Sequence, residues 1–341
     1  MYTRTLAAIA VVFGLSQAAS AAEVDLSLAH WVPPTHPLQK LGMEPWAKSI
    51  EEASNGRIHI TIYPAQQLGA AKDHYDMARD GIADIGFINP GYQPGRFPIM
   101  AAAELPFLFA NAKGGVAALT EWYKNYADKE MSDVYFCMAI SHDPGTLHGK
   151  SKILVPADIK GKNVRPANGT EARFVNLLGG ASVQVPAPAM RDALAKGTAD
   201  VTESPWGSLY VFGADNLVHH HLDMPFYASI NAFVINKAKL ASLSPEDRKV
   251  VEDHCTPEWA EKMSSGWADF EAAGRDKIAA DPEHHMYKPN AEQVKMWQDA
   301  AAPLTTEWKA KMKEMGADGD AIYTSLVDEL KKYDSYYPDK N

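Results

Sequence analysis

The sequence predicts an α/β fold of two similarly wound lobes, with parallel or mixed sheets and a hinge between them. Three observations carry this. Residues 159–205 read strand, helix, strand, helix, strand, with connections of a few residues. Ala78-Arg79-Asp80-Gly81-Ile82-Ala83-Asp84-Ile85 is echoed by Leu194-Ala195-Lys196-Gly197-Thr198-Ala199-Asp200-Val201. Each is a helix end, a G-x-A-D turn and a strand, and each follows a strand that ends in proline, Pro64 or Pro186. Finally, a length of 341 residues favours two domains.

In chain order, alternation over 24–30 reads as a strand. The segment from Trp31 to Pro37 is a stiff loop, because its three prolines cannot donate to a ladder. Apolar spacing over 38–53 is helical and stops at Asn55-Gly56. Ile58, Ile60 and Ile62 share one face of a strand over 57–63. A helix over 70–79, a strand over 84–89 and a Pro/Gly-rich loop over 90–98 follow. Next come a helix over 114–130, a strand over 134–140 and the polar loop 141–152, the first crossing between lobes. The strand over 163–167 presents Arg165 and stops at Pro166; the helix over 170–178 closes on Gly179-Gly180. A strand over 183–185, a helix over 190–196 and a strand over 200–203 complete the unit, ended by Pro205. Strands over 220–227 and 232–236 flank a return crossing near 228–231. Residues 244–280 read as one helix, long enough to span both lobes, opened by Ser244-Pro245-Glu246-Asp247. Helices over 291–315 and 320–333 end the chain. The lobes are then 23–142 plus 230–270, and 143–229 plus 271–341.

Arg4, the apolar run 6–15 and the A-x-A site at Ala19-Ser20-Ala21 form a secretory signal over 1–22, too short for a membrane span. The expected compartment is the periplasm. A net charge of −10 without a Lys/Arg cluster argues against nucleic acid or an anionic membrane as partner. Cys137, inside a strand-like run, is most simply a buried thiol; export leaves a disulfide with Cys255 open, but spacing alone cannot supply the distance.

In parallel α/β sheets ligands bind beyond the carboxyl ends of strands, where Arg165 and Ser204 lie. A guanidinium there suits a carboxylate or sulfonate gripped in bidentate fashion. Trp206, Trp31, Tyr92 and Phe226 occupy loop edges where an aromatic ring walls a pocket or simply packs. His219-His220-His221 suggests metal, but strand neighbours point to opposite faces, so a plain strand edge is the better reading. Residues 145–151 miss a phosphate loop by one position, with Pro144 where glycine is needed. No G-x-S-x-G or H-E-x-x-H is present, and no cofactor is expected.

K-G-K-x-x-R-P at Lys160–Pro166, L-G-G-A at Leu178–Ala181, A-L-x-x-G-x-A-D at Ala193–Asp200 and E-S-P at Glu203–Pro205 form an ordered set. With P-x-x-Q-L-G at Pro64–Gly69 and L-P-F-L at Leu105–Leu108, the set resembles the substrate-binding proteins of tripartite ATP-independent periplasmic (TRAP) transporters, the C4-dicarboxylate-binding (DctP-like) family. The resemblance runs through the whole chain after the signal. It implies a periplasmic-binding-protein-like fold whose lobes close on a small organic anion, a long helix spanning both lobes, and delivery to membrane permease subunits by a monomeric receptor that is not an enzyme. Arg165 matches the family's carboxylate-binding arginine, Ser204 stands where many relatives have asparagine, and Asn89 lies near a polar ligand contact. The sequence departs where sugar-acid-binding relatives have a second arginine: Thr146 stands there, with His142 and His148 nearby. The rival readings are an exported cleft enzyme and a ligand-sensing module for a receptor kinase. If 1–22 is a cleaved signal, amino-terminal sequencing of periplasmic protein should begin at Ala22 or Glu23; a folded chain starting at Met1 would overturn the assignment.

Overall fold

The strands Val24–Ala29 (β1), Ile58–Tyr63 (β2) and Ile85–Ile88 (β3) run parallel, with β1 central. This is a computed structural model describing residues 24–339, so the secretory-signal reading lies outside the described residues. Between β1 and β2, a π-helical turn at Leu38–Met43 runs straight into α1 (Glu44–Ala53); α2 (His74–Arg79) precedes β3. Helix α3 (Ala112–Glu130) leads into Val134–Ile140 (β4). The chain then leaves this sheet. Thr146–Gly149 (β5), Asn163–Arg165 (β6), Ala181–Ser182 (β7), Val201–Ser204 (β8) and His220–Leu222 (β9) belong to a second sheet. Helices α4 (Gly169–Leu177), α5 (Met190–Ala195) and α6 (Trp206–Val211) connect them. The return is made at Asn231–Asn236 (β10), which inserts between β3 and β4.

The sheet orders are β2-β1-β3-β10-β4 and β11-β9-β5-β8-β6-β7, where β11 is His285–Tyr287. Each sheet is mixed for one reason. The strand that arrives from the other lobe, β10 or β5, pairs antiparallel with both its neighbours, while the locally wound strands pair in parallel.

After β10 come α7 (Lys237–Ser242), α8 (Pro245–Asp253), α9 (Pro257–Ala280), α10 (Ala291–Glu314) and α11 (Gly319–Lys332). The single helix expected over 244–280 is therefore two. Pro257 cannot donate an N–H and its ring opposes the preceding turn, so it starts a new helix. Thr256 caps that helix by accepting from the Trp259 amide at 3.3 Å. The longer piece, α9, packs on α3 of the first lobe and α6 of the second. At the second contact a Cβ on Gly274 would run into the main chain of Gly207, so helix backbones meet where no side chain fits. Helix α10 lies on α4, whereas α11 lies on α3, on the first-lobe side of the division drawn from sequence. The strand expected over 183–185 forms only as Ala181–Ser182, and that over 220–227 stops at Leu222, short of Pro225, leaving a single bridge between Gly145 and Tyr227.

The plain-thiol reading of Cys137 is corrected: Cys137 in β4 is disulfide-bonded to Cys255 in the turn between α8 and α9. The bond closes a separation of 118 residues and ties the spanning helix to the first sheet, beside an indole N–H from Trp46 to the His254 carbonyl at 2.9 Å. Replacing both cysteines by alanine should lower unfolding stability by about 2–5 kcal/mol. Denaturant titration checks this; unchanged midpoints would show that the bond contributes nothing.

Candidate functional site

Arg165 ends β6 and is 3% exposed. Its Nε donates to the Val185 carbonyl at 3.0 Å and its Nη1 to the Glu203 carbonyl at 2.9 Å. The irregular backbone after β7 thus supplies an acceptor that a continued strand would have used in its ladder. These two bonds fix the guanidinium plane and leave its other edge to a narrow cavity between the sheets. Ser204, at the end of β8, lines the same cavity, and its hydroxyl donates to the Pro205 carbonyl at 2.9 Å. The Glu203 side chain turns away, accepts from the Ala167 amide at 2.8 Å and couples to Glu171. Burial pushes Glu203 up to about 7 against the pull of Arg165, and burial with the neighbouring carboxyls pushes Glu171 well above the ordinary range. Both carboxyls are thereby biased towards the neutral form behind the arginine.

The first sheet meets the cavity at the carboxyl ends of β1, β3 and β4 and the start of β10. Trp31 stacks on Phe87 with centroids 5.3 Å apart and stands 5.8 Å from Tyr92 and 6.4 Å from Phe212. The Tyr92 hydroxyl accepts from the Ala187 amide at 3.0 Å, beside Arg165. His142, two residues past β4, sits edge-on to Tyr227 and Trp267 at 5.9 and 5.2 Å. Its Nδ1 lies 2.6 Å from the Asp143 carbonyl, and burial lowers its pKa to about 4, so the ring is neutral. Asn89 and Asn231 close this end.

Six of the nine residues named from sequence therefore share one cavity: Arg165, Ser204, Asn89, Trp31, Tyr92 and His142. The other three do not line it. Thr146 is fully buried in β5 and its hydroxyl donates to the Leu222 carbonyl at 2.6 Å. Trp206 packs its indole on His148 and His221, at 4.8 and 5.7 Å, inside the second lobe. Phe226 packs among Phe107, Phe174 and Trp297. Missed from sequence were Phe212, Tyr227, Trp267 and Asn231. Asn231 and Tyr227 flank the return crossing and were within reach of the strand-end rule; Trp267, mid-helix, carries no local signal. In the histidine run, His221 bonds to His148 and His284, both at 2.8 Å, and His220 to Tyr287.

A larger hollow lies between the loop around Pro94, α4 and α10. Size alone would favour it. Yet its arginine, Arg173, is paired with Glu307 at 2.8 Å and half exposed, so it lacks the sequestered cation of the smaller cavity.

Residues 28–311 match the profile of DctP, the bacterial extracellular solute-binding protein family 7. The chain belongs to that family. Among solved structures, it resembles a marine metagenome TRAP solute-binding protein, from an unidentified microbe, specific for aromatic acid ligands and bound to 3-hydroxybenzoate. The identity is 30%, covering 92% of this chain and 100% of that one, with a TM-score of 0.86. The TRAP solute-binding protein of Rhodoferax ferrireducens T118, with copurified benzoate, is 28% identical over 91% of this chain and 98% of its own, at 0.86. That of Bordetella bronchiseptica, with bound (R)- and (S)-mandelate, is 27% identical over 90% and 99%, at 0.84. This solute-binding protein is thus a two-lobed receptor of TRAP type. Among the described residues no helix is long and apolar enough to cross a membrane.

The buried titratable groups set a pH window. Burial raises Glu104 to about 8 and Glu271 to about 7, as it does Glu203, from an ordinary value near 4.5. Their stabilising protons are fully held below 4.5 and lost as pH rises through 7 to 8. Burial lowers His30 and His148 to about 4, like His142, so their contribution is whole above 6.5 and lost as pH falls towards 4. Above pH 6.5 only the carboxyls act, so the melting temperature should fall from pH 6.5 to 9, and less steeply in Glu104→Gln. A flat profile over that range would refute this account.

Proposed function

We propose that this receptor takes up an aromatic monocarboxylate in the periplasm, after removal of its signal, and passes it as a monomer to TRAP permease subunits. The carrying observation is a single, fully sequestered guanidinium, Arg165, in a cavity walled by Trp31, Tyr92, Phe212, Tyr227 and Trp267. One cation suits one anionic group, and where a second arginine would bring a dicarboxylate, Thr146 is bonded to Leu222 instead. Flat aromatic walls favour a planar, apolar body. The ligands named for the three similar structures support the same class. Closure follows when contacts made only in the shut cleft outweigh the open state, with the hinge at the crossings 141–145 and 223–230.

A sulfonate would satisfy the same fork, so benzenesulfonate belongs beside benzoate in calorimetry, with mass spectrometry of copurified ligand as the unbiased check. Losing the guanidinium leaves a desolvated anion short of donors, a loss of about 2–5 kcal/mol. Arg165→Ala should then bind benzoate roughly 30-fold to several thousand-fold more weakly. Arg165→Lys keeps charge but not the fork and should fall between that variant and Ser204→Ala. Arg165→Ala binding benzoate like wild type, while melting normally, would refute the site.

A further inference from the structure

The end of the cavity facing Arg165 is built from hydrogen-bond acceptors that the protein leaves unpaired. Asn231 is 1% exposed, and its Nδ2 donates to the Ser229 carbonyl at 3.1 Å. A carbonyl can only accept, so the amide orientation is fixed and Oδ1 is an acceptor. That oxygen is buried and has no partner. The His142 Nδ1 faces the Asp143 carbonyl and must carry the ring proton, so Nε2 of the neutral ring is a second acceptor. The sheet brings the two together: Asn231 pairs with Ile140, two residues before His142. On the same wall the Trp31 Nε1 donor is also buried and unpaired.

Buried polar atoms without partners are uncommon because each carries an uncompensated desolvation cost. Two acceptors and one donor around one cavity therefore call for a group that can both donate and accept. A hydroxyl does this; hydrogen, fluorine and ether oxygen do not. We propose that, among aromatic monocarboxylates, this site selects those carrying a hydroxyl group at the end away from the carboxylate, read by Asn231 and His142. The proposal rests on the functional reading above and adds the second recognition pole.

The test is calorimetry on the full receptor, stripped of copurified ligand, with benzoate, 3- and 4-hydroxybenzoate and 3- and 4-fluorobenzoate. Fluorine matches hydroxyl closely in size but cannot donate. At least one hydroxy acid should bind roughly tenfold or more tighter than its non-donor counterpart, since sites built around a substrate hydroxyl reject the analogue lacking it. Asn231→Leu should shrink that ratio. Equal affinities across every pair, with benzoate still bound, overturn this inference alone. A ratio unchanged in Asn231→Leu overturns the assignment of the pole. If no aromatic acid binds, the functional reading fails and this inference with it.

Discussion

A positive charge held out of water between two lobes is the constraint on which the rest of this molecule depends. Arg165 is not neutralised by a direct carboxylate partner. Two main-chain carbonyls orient it, and two buried carboxyls, Glu203 and Glu171, stand behind it, both pushed towards the neutral form by burial. That arrangement keeps the outer edge of the guanidinium open. A tight ion pair there would have stabilised the empty protein and competed with any incoming anion. The local irregularities follow from the same need. Strand β7 ends after two residues so that Val185 can offer its carbonyl sideways, and Pro166 and Pro205 stop β6 and β8 at the cavity rim.

The two sheets reach this cavity as unlike partners. The second brings the cation and the ends of β6 and β8. The first brings aromatic rings and polar side chains without charge, continuous through Trp31, Phe87, Phe233 and Trp46 with the core beneath. Helix α9 holds both, contributing Trp267 to the cavity and its Gly274 contact to α6, and the Cys137–Cys255 bond anchors its start.

Much of this was legible in the sequence because it depends on local chemistry. Strand, helix and strand in short succession, the doubled G-x-A-D turn and proline stops gave the winding of both lobes and put Arg165 and Ser204 at strand ends. Three things were not legible. A helix spacing cannot announce that Pro257 will begin a new helix rather than kink an old one. Two cysteines 118 residues apart carry no distance until β4 and the α8–α9 turn are packed together. And an aromatic residue beside a strand end can face either way: Trp31 and Tyr92 turn to the cavity, while Trp206 and Phe226 turn into the second lobe. Thr146 was misplaced for a related reason: its hydroxyl turns to the Leu222 carbonyl within the second sheet.

The insertion of β10 between β3 and β4 has a consequence for how this chain matures. When the first 140 residues have been made, β3 and β4 exist but are not neighbours in the finished sheet; the strand that joins them is encoded after the whole β5–β9 segment. The second sheet can pair β5 to β9 from one contiguous segment and lacks only its edge strand β11, whereas the first cannot join β4 to the rest until β10 is made. Completion of the first sheet therefore waits on β10, and pairings over such separations form slowly. The cavity wall that carries Asn231 is therefore among the last parts of the first lobe to be set in place.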